Sequence, residues 1–368
     1  VPISWKDLYD TAGVATEAGS ALLKERVPGK DAVVLQKASA QGLVCLGKTH
    51  MTELAFSGLG INPVTATPPN INDPERAPGG SSSGAAVATA RGLAAAGIGS
   101  DTGGSIRLPS AWNDLVGWKP THGALSLEGV VPLAARFDTA GPLCHTVEDA
   151  ALLAAAMGGT AAPDLAGVSV AGARLAVLET VAQDDLEDAP AKGFARARAA
   201  LEAAGAHLTA FAFPELDEAM ALAGVLFASE TYGTWKDAIE AAPEKMFAPV
   251  RERFRAGATF DAPSYVAAWQ RLDAIRAAWR AVTAGFDGVI LPTCPILPPL
   301  VAPLLEDHAA FAATNLMTLR NTRIGNLMGT SGLSLPTGVP STGLMLLGAP
   351  GQDGRTLRLG AACEAVLG

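Results

Sequence analysis

The sequence predicts an α/β protein with a large mixed, mostly parallel central sheet. Three observations predict it. Short apolar runs bounded by Gly, Pro or Asp, such as Leu43–Leu46, Ala95–Ser100 and Arg174–Leu178, have the length of buried strands. The order strand 174–178, helix 192–204, strand 207–213 is a β-α-β alternation, which favours parallel pairing. Abundant alanine and 40 glycines allow helices to approach a sheet closely.

Each element has a local reason. Val1–Trp5 reads as a strand ending at Lys6-Asp7. Residues 11–30 read as irregular surface structure with a short helix, and 31–40 as a helix. Asn62 to Pro78 is rich in Pro and Asn, hence a loop. Ser82 to Leu93 suits a helix of small residues that leads into the strand Ala95–Ser100. Thr146-Val147-Glu148-Asp149 has the form of a capping box and starts a helix through Met157. Residues 215–284 read as mostly helical, a cap or insertion over the site, with the clearest amphipathic helix at Ser264–Thr283. Gly288–Leu291 reads as a strand, Asn315–Met328 as a helix, and Leu333–Leu335 and Leu344–Leu347 as strands. Asp353 is expected to cap a last helix reaching Leu367. No linker demands a division, so residues 1–368 read as one domain.

Composition narrows the function. A net charge of −9 argues against a nucleic-acid-binding or anionic-membrane surface. The four cysteines and five histidines are scattered without ligand spacing, so neither metal nor cofactor is expected. Unpaired cysteines suit a reducing compartment, hence a cytoplasmic protein. No run of about 18 apolar residues suggests a membrane span. The chain opens on V-P-I-S-W-K-D without Met, so further N-terminal residues are expected to precede it.

The chemistry gathers in residues 76–108. Two glycine pairs there each end in a serine, at Ser81 and Ser105. Glycines leave neighbouring N–H groups uncrowded, and a serine after such a pair sits on a tight turn. Those are the parts of a nucleophile with an oxyanion hole. A flexible linker would be more polar than the Ala- and Val-rich stretch from Gly84 to Ala96. A serine nucleophile needs a base. His50 and His122 are the best-placed histidines, but neither lies in a catalytic motif. Lysine is the other known base for serine, and burial can keep it neutral. Lys6 ends the strongly apolar V-P-I-S-W. Lys48 ends G-L-V-C-L-G-K-T, which formally matches a phosphate-loop pattern, but Leu43–Leu46 is an apolar strand and not a glycine-rich cradle.

The chain resembles the amidase-signature hydrolases. The resemblance rests on V-P-I-S-W-K-D, P-G-G-S-S-S-G at 78–84, G-S-D-T-G-G-S-I-R at 99–107, G-W-K-P-T-H-G at 117–123 and F-D-T-A-G-P at 137–142. The spacing from Lys6 to Ser81 is 75 residues and from Ser81 to Ser105 is 24. The likeness is strong over residues 1–157 and returns near Leu335-Pro336-Thr337-Gly338. It implies an α/β/α sandwich and a Ser-cisSer-Lys triad. By that resemblance Ser105 is the nucleophile, Ser81 the bridging serine on a cis peptide bond, and Lys6 the base. The oxyanion hole would be the backbone N–H groups of Thr102, Gly103, Gly104 and Ser105. Ser82 would hydrogen-bond near the triad. Asp101 and Arg107 match family positions and read as an ion pair fixing the loop.

The expected activity is hydrolysis of a small-molecule carboxamide to a carboxylate and ammonia or amine through a Ser105 acyl-enzyme. Met51, Leu54 and Phe56, with parts of 225–330, are candidate substrate contacts. A homodimer is a family-level expectation. One alternative is the glutaminase subunit of a tRNA-dependent amidotransferase. That branch carries an acidic residue for the glutamine amino group, whereas Leu319 stands near the position and no acid lies between Asp307 and Asp353. The other is a non-catalytic binding protein, which the intact Lys6, Ser81 and Ser105 set disfavours.

Overall fold

A computed structural model describes residues 1–368. Ten strands form one sheet: β1 (Pro2–Lys6), β2 (Val44–Thr49), β3 (Ala96–Ser100), β4 (Val116–Lys119), β5 (Ala140–Cys144), β6 (Arg174–Leu178), β7 (His207–Phe211), β8 (Gly288–Pro292), β9 (Ser331–Pro336) and β10 (Gly343–Gly348). Their order is β2-β1-β3-β5-β4-β9-β10-β8-β6-β7. The α/β class is as predicted, but the balance of pairings is not. Parallel pairs occupy the two flanks, β2-β1-β3 and β8-β6-β7, and every pairing between β3 and β8 is antiparallel. Antiparallel pairs therefore outnumber parallel ones. The reason is local: β9 and β10 form a hairpin closed over residues 337–342, and two short strands, β4 and β5, slot between β3 and β9.

Strand side chains alternate between faces, so neighbours along a strand should enter different cores. They do. Leu175, Val177, Ile290, Leu344 and Leu346 join one core with helices 33–40, 147–158, 188–203 and 353–367. Ala176, Leu178, Val289, Leu291, Met345 and Leu347 join the opposite core with helices 215–241, 262–283 and 320–327. The sheet is thus the middle layer of an α/β/α sandwich. The small-residue helix Ser83–Ala90 lies close on β3, where a Cβ on Gly97 would meet Ala85 O at 2.7 Å.

Some local expectations need correction. Thr146 does cap its helix, accepting from Asp149 N, but Asp353 caps nothing. Asp353 is the first helical residue, and its carboxylate accepts from Thr121 N at 2.7 Å. The single helix expected over 315–328 is two helices, His308–Thr318 and Arg320–Leu327, broken at Leu319. No helix is long and apolar enough to cross a membrane.

Candidate active site

Lys6 closes β1 and is fully buried. The apolar V-P-I-S-W before it drives that strand into the sheet between β2 and β3, which carries the ammonium inside with it. Its Nζ donates to Ser81 Oγ at 2.6 Å and to Ser100 Oγ at 2.7 Å. Burial pushes the Lys6 amine down to about 7, against the upward pull of the Asp138 and Asp101 carboxylates. A lysine so placed is neutral much of the time near neutral pH.

Ser81 follows a cis peptide bond from Gly80, and it too is fully buried. Ser82 fastens this segment to the end of β3: its Oγ donates to Ser100 O and accepts from Ser100 N, both at 3.2 Å. Ser105 is brought alongside by a hydrogen bond from Ser82 N to Ser105 O at 3.3 Å. The Ser105 side chain faces a cavity, and no hydrogen bond joins it to Ser81 in this state.

The loop between β3 and Ser105 is organised on one carboxylate. Asp101 accepts from the amides of Gly104, Ile106 and Arg107, from Arg107 Nε at 3.0 Å and Nη2 at 2.9 Å, and from Asn326 Nδ2 at 2.9 Å. Burial alone would raise the Asp101 carboxyl; the Arg107 guanidinium outweighs it and holds the group at about 2. Asp101 and Arg107 are therefore a buried ion pair fixing the loop. Of the four amides expected in the oxyanion hole, Gly104 N–H is already taken by Asp101 at 2.9 Å. The amides of Thr102, Gly103 and Ser105 have no partner in the protein, and all three residues line the cavity. Thr102 is set by Asp138, which accepts its hydroxyl at 2.5 Å and the amides of Leu133 and Ala134.

The cavity measures about 250 Å³. Phe56 lines it, but Met51 and Leu54 do not; both are buried in the core. Leu54 and Ala55 take left-handed conformations, φ 44° and 60°, and this turn sends Leu54 inward while Ala55 and Phe56 reach the wall. Helices 215–241 and 248–255 supply Phe227 and Arg253, and residues beyond 315 supply Leu316, Leu319 and Arg323.

The other candidate bases lie elsewhere. His122 is exposed and bonded to Ala135 O, His50 lies outside the cavity, and Lys48 pairs with Asp7 at 2.8 Å. No group of three or more His, Cys, Asp or Glu side chains gathers in the geometry of a metal site. Sequence reasoning misses Ser100, Asp138, Arg253 and Arg323. Of these Ser100 and Asp138 carry a signal, standing inside the G-S-D-T-G-G-S and F-D-T-A-G-P motifs.

The amidase family model matches residues 1–357. The chain is a member of the amidase family. As an amidase it is a hydrolase of carbon–nitrogen amide bonds. It is 35% identical to the 2-amino-5-chloromuconic acid deaminase of Comamonas testosteroni, over 100% of this chain and 82% of that one. It is 32% identical to a glutamyl-tRNA(Gln) amidotransferase component of Mycobacterium ulcerans, over 100% of this chain and 84% of that one. A crystal structure of an amidase superposes with a TM-score of 0.90 at 32% identity, covering 100% of this amidase and 85% of that chain.

Proposed function

We propose that this amidase cleaves a small-molecule carboxamide through an acyl-enzyme on Ser105, with Ser81 as proton relay and Lys6 as base. The observation that carries the reading is the buried Lys6–Ser81 hydrogen bond beside a cavity-lining Ser105. Neutral Lys6 takes the Ser81 proton as Ser81 takes the Ser105 proton. Ser105 Oγ bonds to the amide carbon, and the carbonyl electrons move onto oxygen. The amides of Thr102, Gly103 and Ser105, which have no partner and belong to residues lining this cavity, are the donors for that oxyanion. The tetrahedral intermediate collapses, the carbon–nitrogen bond breaks, and Lys6 returns its proton through Ser81 to the leaving nitrogen. Water repeats the attack with the same proton path and frees the carboxylate and Ser105. A hydroxyl both donates and accepts, so Ser81 can relay in either direction. The Ser81–Ser105 contact need only close on substrate binding, since catalytic hydrogen bonds are often open in free enzymes.

The relative named a deaminase is 35% identical against 32% for the amidotransferase relative, both along the whole chain, and it supports the hydrolase reading. The glutaminase reading is disfavoured by the cavity wall. Leu319 lines it and no Asp or Glu does, so nothing there would neutralise the ammonium of a glutamine. Intact mass after fluorophosphonate treatment tests the acyl-enzyme. A single adduct on the wild type that is lost in Ser105→Ala is expected; an adduct that survives the substitution overturns the assignment of Ser105.

A further inference from the structure

The cavity is charged in one sign only. Arg253 and Arg323 both line it, along with Phe56, Phe227, Phe260 and Leu316, and no acidic side chain does. Neither arginine has an ion-pair partner anywhere in the protein. Arg253 lies over the Phe56 ring, 4.2 Å from its centroid, and gives one N–H to Phe56 O at 3.1 Å. The Arg323 guanidinium makes no hydrogen bond, and its Nη2 is enclosed without a partner. Burial pushes Arg253 down to about 9, helped by its proximity to Arg323, and pushes Arg323 down to about 10, so both stay cationic at neutral pH.

Two cations side by side in an apolar pocket oppose folding twice, by desolvation and by mutual repulsion. Arg107, the chain's one fully buried arginine, is matched by Asp101, whereas Arg253 and Arg323 are half-buried in the cavity wall and meet no carboxylate there. Unmatched guanidiniums in a cavity beside the nucleophile are donors waiting for an anion. The guanidinium fork fits a planar carboxylate, and such charge-assisted pairs are about twice as strong as neutral hydrogen bonds.

We propose that the amide substrate of this enzyme carries a carboxylate, engaged by Arg253 and Arg323. This rests on the cavity being the substrate site. The carboxylate belongs either to the acyl half, as in a monoamide of a dicarboxylic acid, or to the amine half, as in an N-acyl amino acid. Nitrogen release then yields a dicarboxylate in the first case and an amino acid in the second.

Calorimetric titration of the Ser105→Ala protein tests this without turnover. The ligands are succinamate, glutaramate and adipamate for the first class, N-acetylglycine and N-acetyl-β-alanine for the second, and the uncharged primary amide of each. At least one anionic ligand should bind about tenfold or more tighter than its uncharged counterpart, and the class it belongs to identifies the half that carries the charge. The preference should shrink to about threefold or less when Arg253→Met or Arg323→Met is added, with lysine at either position restoring part of it. Equal binding of charged and uncharged ligands overturns the proposal, as does a preference that persists in the methionine variants. The first comparison needs no arginine variant, so a misfolded methionine protein leaves that test standing. Fluorophosphonate labelling of Ser105 reports on the hydrolase reading separately, so the two can fail independently.

Discussion

Lys6 Nζ donates to Ser100 Oγ at 2.7 Å, a contact nearly as short as the one it makes with Ser81. Ser100 ends β3 and Lys6 ends the adjacent β1, so the sheet itself sets the amine in place. Removing the Ser100 hydroxyl leaves a buried amine with one side-chain partner. Ser100→Ala should lower kcat by about tenfold, less than the roughly hundredfold or greater loss expected of Lys6→Ala, with KM changed by about twofold at most. The charged form also loses an acceptor, so the pH midpoint of kcat/KM should move to lower pH. Steady-state kinetics across pH checks both. An unshifted profile with an unchanged kcat would remove Ser100 from the positioning set.

The depressed Lys6 amine dictates how activity and stability depend on pH. A general base works only when neutral, so kcat/KM should rise with pH through a midpoint near about 7 and then level off. Stability has the same sign. Between about 7 and the ordinary 10.5 the unfolded chain holds a proton on this lysine that the folded chain does not. Folding therefore gains as pH rises through that window, and below it the full cost of a buried ammonium applies. Lys119 is likewise pushed down to about 7, mainly by burial, and adds to the same trend. Urea unfolding of wild type and Lys6→Met at pH 7 and pH 9 separates them. The gain from pH 7 to 9 should be smaller in Lys6→Met, with the Lys119 share remaining.

Much of the site is legible in the sequence because its chemistry demands rare residue patterns. Two Gly-Gly-Ser turns and a lysine after an apolar strand are conspicuous, and the fold brings Lys6 onto Ser81 and both Lys6 and Ser82 onto Ser100. Sheet orientation is less legible. Residues 140–144, A-G-P-L-C, have no strand-like period, and β4 is only four residues long, so the antiparallel middle of the sheet leaves little trace. The arginines of the cavity are hidden for another reason. In A-P-V-R-E-R-F-R three arginines alternate with other residues along a short helix, and only packing shows that Arg253 turns inward while Arg251 and Arg255 meet Glu252 and Glu240. Met51 and Leu54 look like pocket residues in the sequence because apolar side chains near a catalytic loop read the same whether they line it or support it.

Gly104 carries a backbone requirement. Its φ is +133°, a region that side chains rarely adopt, and a Cβ there would collide with the Thr322 side chain, which itself holds Gly103 O at 2.8 Å. Gly104→Ala should therefore displace the loop that presents the Thr102, Gly103 and Ser105 amides. A loss of about 1–3 kcal/mol in unfolding free energy is expected from strain and overpacking. Activity should fall further than stability alone explains, with fluorophosphonate labelling slowed roughly tenfold or more in protein that is still folded. Labelling at the wild-type rate would show that the loop tolerates the side chain.

The Asp101–Arg107 pair makes the most demanding energetic prediction, because both partners are fully buried. Arg107→Met strands a carboxylate that still accepts three backbone amides and Asn326. Breaking such a pair by removing one partner costs about 3–5 kcal/mol, most of it the penalty of the charge left behind. Asp101→Asn/Arg107→Met removes both charges, so it should be less destabilised than Arg107→Met alone, a sign reversal that an exposed pair would not show. Acid adds a second signature. The Asp101 carboxyl sits at about 2 against an ordinary 3.8, so its contribution is present above the ordinary value and is lost as pH falls through about 2. Chemical unfolding at pH 7 and at pH 3 measures both effects. Wild type should lose stability between those values, and Asp101→Asn/Arg107→Met should lose less. Costs that simply add across the two single variants would mean the loop is held by its amides and not by the ion pair.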